Sequence, residues 1–225
     1  MSVMTAKLQR IGQRQTWNRI LSSLKYSLYV IVHPVDGFWD LVHEKRGSIA
    51  AANILVLLTL LTRVWKLQFT SFQFIQVHWE RVNVFMEFAS VLVPLFVFCI
   101  SNWGVTTLFD GKGKLNQIYM GTAYALIPYP LIQIPLIFLS NIVTVEEGTF
   151  YWFFSDFSLI WVGVLIIAAM MMIHAYSFGK TLWFMVVSAF AMLVFIFIVL
   201  LFFSMISDGI AYFVSLGREI LFRLN

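Results

Sequence analysis

The chain has 225 residues, of which 60% are hydrophobic and only 12% are charged. A soluble domain carries about 25% charged residues, so a chain of this composition cannot cover its surface with polar groups, and a soluble globular protein is excluded. The net charge of +4 is spread over termini and loops, which favours lipid headgroups over nucleic acid as the anionic partner.

The N-terminal flank, residues 1–47, is predicted to begin with an amphipathic helix. Apolar residues recur there at the spacing of one helical face, namely Trp17, Ile20, Leu21, Leu24, Leu28 and Ile31. Basic residues stand beside this face, which favours a helix lying on the inner membrane surface. Packing on cytoplasmic loops or on a partner protein is the alternative.

A second short helix is predicted after Pro34, with Asp36 as its N-cap and Gly47 closing it. Four side chains share a face of this segment and could in principle hold a divalent cation: Asp36, Asp40, His43 and Glu44. An acidic start and a basic end are also what the helix dipole favours, so we expect no metal here.

Five stretches of about 20 apolar residues predict five membrane-spanning helices within residues 48–206. They run from Ser48 to Phe69, Glu87 to Phe109, Ile118 to Val143, Ser158 to Phe178 and Leu182 to Ile206. Ten of the 15 Lys and Arg residues fall on the side of the N-terminus. The positive-inside rule therefore predicts a cytoplasmic N-terminus and an extracytoplasmic C-terminus.

The tail, residues 207–225, is predicted to be an extracytoplasmic amphipathic helix that lies at the membrane surface or docks on a partner. Its apolar face comprises Ile210, Phe213, Gly217, Ile220, Leu221 and Leu224. The fold class is therefore an all-α integral membrane protein, with five transmembrane helices and amphipathic interfacial helices at both termini.

Three ionisable residues inside the predicted spans are candidates for an intramembrane polar pathway or an interface. Arg63 and Lys66 are three residues apart and share a helical face, so they could line a polar pocket. Alternatively, the first span ends near Thr62 and both side chains reach the headgroups. His174 could act in a proton relay, but a hydrogen-bonded structural histidine is the preferred interpretation because no ionisable partner stands near it in the sequence.

The third span is predicted to be kinked and buried. Three of the chain's five prolines, Pro128, Pro130 and Pro135, follow Tyr124 closely, and each removes a backbone donor. Backbone groups freed at membrane depth must be satisfied by protein or by cavity water. A packing kink is preferred over a substrate site at a broken helix.

No catalytic motif is found in the sequence. HExxH, GxSxG, P-loop, CxxC and GxGxxG patterns are all absent, and the single cysteine, Cys99, lies in an apolar run. We therefore expect a protein that is not an enzyme and that carries no cofactor, metal site or disulfide bond.

The layout resembles the Yip family, five-span membrane proteins first known as Rab-interacting trafficking factors. The matching elements are Pro-x-x-x-Phe-Trp at Pro34 to Trp39, Glu44-Lys-Arg-Gly-Ser48 before the first span, a short basic second loop, and Tyr124-x-x-x-Pro128. The resemblance covers about residues 33–206. The eukaryotic Asp-Leu-Tyr-Gly-Pro motif and long N-terminal domain are absent, so the resemblance implies the bacterial branch and a bacterial plasma membrane.

Three functions are consistent with these features. The first is a non-enzymatic accessory or scaffolding subunit of a larger membrane assembly, such as a multi-subunit importer, whose partners are the bilayer and other integral membrane proteins. The second is a stand-alone transporter of a small molecule or ion, with Arg63, Lys66 and the Pro128–Pro135 break on its pathway. The third is a membrane-shaping or trafficking factor of the Rab-interacting type.

Overall fold

The computed structural model describes residues 19–75, 82–144 and 146–224 of the chain. These residues form helices and turns, with no strand among them. The helices are α1 (19–32), α2 (Pro34–His43), α3 (Ile49–Phe69), α4 (Val84–Leu108), α5 (Leu115–Ala125), α6 (Pro128–Leu139), α7 (Gly148–His174) and α8 (Phe178–Leu224). The prediction of an all-α protein is confirmed.

The described residues contain five helical stretches long and apolar enough to cross a membrane, as predicted: α3, α4, α5 with α6, α7, and the stretch of α8 from Phe178 to Leu216. Most boundaries differ from expectation by a few residues, and the start of the fourth span differs most. The fourth span begins at Gly148 rather than Ser158, because the aromatic run that follows Gly148 is helical and Tyr151 within it packs against Phe74 and Leu136. The fifth begins at Phe178 rather than Leu182.

The bundle has two ends, which we name by their loops. At the α3–α4 end, α3 and α6 finish while α4 and α7 begin; at the α4–α5 end, α4 and α7 finish while α5 and α8 begin. α3, α5 and α7 form the centre, where Leu55, Ile118 and Leu165 are almost completely buried. α4 packs beside them and also contacts α8.

The third span consists of two helices. α5 ends at Ala125 and α6 begins at Pro128, so the break falls at Leu126 and Ile127. Pro128 occupies the first turn of α6, where its missing N–H would have no helical partner in any case. This span is the most buried of the five, with 61% of its apolar window inside the protein.

The flank before the first span folds back onto the bundle. α1 ends at residue 32 and α2 begins directly at Pro34, so its N-cap is His33 and the predicted N-cap Asp36 lies inside the first turn. Proline is favoured at this position because its φ angle is already helical. α2 packs along α7 and buries Phe38 and Leu41.

α8 is far longer than a bilayer requires. Its 47 residues correspond to about 70 Å at about 1.5 Å per residue, against a hydrocarbon core of about 30 Å. The predicted span and tail form one helix with no break at residue 207. Only the first half contacts the bundle; beyond Val199 every described side chain is exposed, with Gly209 the exception.

Candidate functional site

A group of buried and partly buried polar side chains lies at the α3–α4 end and is centred on Lys66. It joins residues from four helices, which we call the Lys66 cluster: Arg63, Lys66, Glu87, Tyr129, Gln133, Tyr151, Ser155 and Ser158. Because α3 continues to Phe69, Lys66 lies about one turn before the end of the helix rather than beyond it.

Lys66 points into the bundle and Arg63 points to its flank. Lys66 Nζ donates to Ser155 Oγ at 3.0 Å and lies 5.9 Å from the centre of the Tyr151 ring. Arg63 Nε donates to Glu87 Oε2 at 3.0 Å, and the Arg63 side chain is 44% exposed. The two predicted cations therefore share one polar region but have different partners.

Gln133 connects α6 to α7 in this region. It is fully buried, and its Nε2 donates to Ser158 Oγ at 2.9 Å and to Ser155 Oγ at 3.1 Å. Ser155 thus receives hydrogen bonds from both Lys66 and Gln133. A polar side chain inside an apolar span is costly unless it is satisfied, so Gln133 adds specificity to the packing of α6 on α7.

Several polar atoms of the cluster have no hydrogen-bond partner in the described part of the chain. They are Tyr129 Oη, Gln133 Oε1, Tyr151 Oη and the adjoining Thr70 Oγ1. Tyr129 lies beside Arg63 without reaching hydrogen-bond geometry. Buried polar atoms are nearly always paired in native proteins, so this concentration marks the cluster as the candidate functional site.

His174, the third predicted polar residue, lies at the opposite end and is not part of this cluster. Its Nδ1 accepts from Gly113 N–H at 3.3 Å, so its Nε2 carries the proton and donates to Asn102 Oδ1 at 3.0 Å. Asn102 in turn donates to Ser188 on α8 at 3.0 Å. The ring is neutral and satisfied at both nitrogens, as a structural histidine is.

Three of the four residues of the predicted kink are buried outside the Lys66 cluster, and the fourth, Pro135, is exposed. Tyr124 is completely buried, and its hydroxyl accepts from Ser48 N–H at 3.4 Å, which ties the break to the start of α3. Pro128 and Pro130 are buried beside it, and Pro135 lies within α6.

The residues of the predicted apolar face of the first helix do not all face the bundle. Leu24 packs against the core, whereas Leu21 and Leu28 are each 50% exposed. The side that faces the bundle instead carries Ser23, Ser27 and Val30. Trp17 lies outside the described residues, as do the side chains of four members of the predicted tail face, Gly217, Ile220, Leu221 and Leu224.

Sequence reasoning missed Glu87, Gln133, Ser155 and Asn102. Each is a polar residue within or at the start of an apolar helix, and that is a detectable signal for an interior partner. The pairing itself was not visible, because Lys66 and Ser155 are 89 residues apart.

Comparison with known proteins identifies a matching family model, but no matching curated protein or solved structure. The family model of the Yip1 domain matches residues 28–203, which is most of the 225-residue chain and includes all five spans as far as the middle of α8. The chain therefore belongs to the Yip1-domain family of multi-pass membrane proteins.

Proposed function

We propose that this protein is a non-enzymatic subunit of a bacterial plasma-membrane assembly and that it docks on another integral membrane protein through α8. The observation that supports this most is the exposure of α8: only 6% of its apolar window is buried within the protein. Every other span has at least 22% of its window buried.

The second half of α8 is the part that we expect to dock, because α8 is longer than the hydrocarbon core and lipid cannot cover all of its apolar side chains. Residues 200–224 extend about 37 Å beyond the last contact with the bundle, at about 1.5 Å per residue. Large apolar side chains are exposed along this segment, among them Phe202, Phe203, Ile210 and Phe213. Each such side chain gains about 1.5–3 kcal/mol on leaving water, so a protein surface that continues past the bilayer is the occupant we propose.

A truncation tests this function. A chain that ends at Val199 loses, among the residues whose burial is described, only exposed ones and the partly buried Gly209, so we expect it to insert and to elute as a folded, monodisperse protein. The full-length protein, purified in mild detergent, should carry one stoichiometric membrane partner that the truncated chain lacks. Repeated recovery of the full-length protein alone, or retention of the partner after truncation, would contradict the proposal.

A further inference from the structure

The Lys66 cluster contains an excess of positive charge and of free donors. Arg63 and Lys66 face a single paired carboxylate, Glu87, and in the described residues no carboxylate forms an ion pair with Lys66. Asp156, the next acid, lies on α7 near the cluster but is not paired with Lys66. One ammonium proton is used by Ser155, and the guanidinium uses only its Nε–H in the described residues.

The partnerless polar atoms provide a second, independent observation. The side chains of Gln133, Tyr151 and Tyr129 are 0%, 1% and 7% exposed, and each has an oxygen without a partner in the described residues. Two of these are phenol hydroxyls, which can donate. Gln133 Oε1 is an acceptor, so it does not itself bind an anion.

The depth of the cluster suggests which anion could reach it. α3 has 21 residues, about 31 Å, which matches the hydrocarbon core, and Lys66 lies about 5 Å before its end. By its position along α3 we therefore expect Lys66 to lie just beneath the headgroup layer, and the side chain of Arg63, at the flank of the cluster, is half-exposed. Between α3 and α6, the helices that carry Lys66 and Gln133, runs an apolar groove of about 220 Å³ whose lining contains no cluster residue: Trp65, Phe69, Ile134, Ile137 and Phe138.

We infer that the Lys66 cluster binds a phosphate group, either the headgroup of a phospholipid or free inorganic phosphate. The ammonium of Lys66, the unused N–H groups of Arg63 and the hydroxyls of Tyr129 and Tyr151 would donate to the phosphate oxygens. If the source is a phospholipid, an acyl chain would lie in the groove between α3 and α6. This site is distinct from the docking surface on α8.

Thermal unfolding of the full-length protein in a phosphate-free detergent tests this inference. Three probes are added separately: inorganic phosphate, phosphatidylglycerol, and a galactolipid that has acyl chains but no phosphate. We expect phosphatidylglycerol or inorganic phosphate to raise the Tm and the galactolipid not to do so. A response to the phospholipid alone identifies a lipid site, and a response to both identifies a site for phosphate itself.

Lys66→Met should weaken the binding of the effective probe at least tenfold, whereas Lys112→Met, which removes an exposed cation from the α4–α5 loop, should leave it unchanged. Arg63→Gln is the second variant, and it keeps the test decisive if Lys66→Met does not fold. Native mass spectrometry checks the stoichiometry, which should be one phospholipid per chain for a lipid site. The inference is overturned if neither phosphate probe shifts the Tm, if the galactolipid acts equally, or if both variants bind as the wild type does.

Discussion

The polar residues inside this bundle act in pairs that join helices distant in sequence. Lys66 meets Ser155, Gln133 meets Ser158, and Asn102 bridges His174 and Ser188. Because unsatisfied polar groups are costly in a bilayer, such pairs penalise alternative helix registers more than apolar contacts do. Specific packing at both ends of the bundle therefore depends on a few residues.

Gly113 allows the second loop to approach His174 closely. A Cβ atom added there would lie 2.6 Å from both His174 Cε1 and Ile173 Cγ2, whereas one added at Gly104 would meet nothing. We therefore expect Gly113→Ala to lower stability by about 1–3 kcal/mol, since the ring must move from its two hydrogen bonds. Thermal unfolding in detergent measures the change.

Gly104→Ala is the matched control for this prediction. Gly104 lies within α4 and is exposed, so alanine there should be neutral or stabilising by up to about 1 kcal/mol. Equal effects of the two substitutions would show that the close approach of the second loop to His174 does not matter for stability.

At the scale of these single residues, the sequence indicated which positions were unusual but not which positions meet. Arg63, Lys66 and His174 stand out because charged or ionisable groups are rare in apolar runs. Their partners are the carboxylate of Glu87, a serine, an amide and a backbone N–H, and the sequence alone does not show which of these groups meets which cation or ring. Asn102 and His174 are 72 residues apart in the chain, and they meet only because α4 and α7 run parallel and finish at the same end of the bundle.

Among the elements, α1 and α2 are joined by apolar contacts, such as that of Val30 with Gly37, and by hydrogen bonds of one tyrosine. Tyr26 Oη donates to Gly37 O at 3.0 Å, and Asp40 Oδ2 lies 3.3 Å away as a second acceptor. Partial burial, together with the negative charge of Asp40, raises the pKa of Tyr26. Tyr26 therefore stabilises the packing of α1 against α2 within the flank.

Tyr26→Phe should cost about 1 kcal/mol of stability at neutral pH, since it removes one hydrogen bond. The pKa of Tyr26 is raised in the folded protein, so its contribution is complete below the unfolded value of about 10 and declines as the pH rises above that value. The difference in Tm between the wild type and Tyr26→Phe should therefore be constant near neutral pH and shrink above about pH 10. A difference that grows with pH would contradict this assignment.

The elements themselves were largely predictable, with two exceptions that have a physical reason. Apolar length identified five spans, and the prolines placed the break in the third span near Pro128. The early start of α7 was missed because Glu146, Glu147 and Asp156 made its first turns read as a loop. The sequence did not predict that span and tail form one continuous helix, because a hydropathy pattern indicates where a helix leaves the lipid. It does not indicate where the backbone hydrogen bonds of the helix end.

At the scale of the whole molecule, the chain is a compact bundle of four spans with a fifth attached along one side. α8 packs mainly on α4 through a narrow stripe that includes Thr181, Phe184 and Ser188, and it then continues alone. This arrangement is consistent with the proposal that the other four spans form the packed core and that α8 docks on another integral membrane protein. The phosphate site proposed at the Lys66 cluster belongs to the bundle and does not require that engagement.

Site-specific photocrosslinking in intact membranes tests the docking of α8 most directly. A photoreactive phenylalanine analogue is placed at Phe203 on α8 and, as a control, at Ile160 on α7; both positions are 64% exposed. We predict a discrete adduct between Phe203 and one other integral membrane protein, with Ile160 yielding lipid adducts only. Lipid adducts in equal yield at both positions, or an adduct joining only two copies of this chain, would contradict the account.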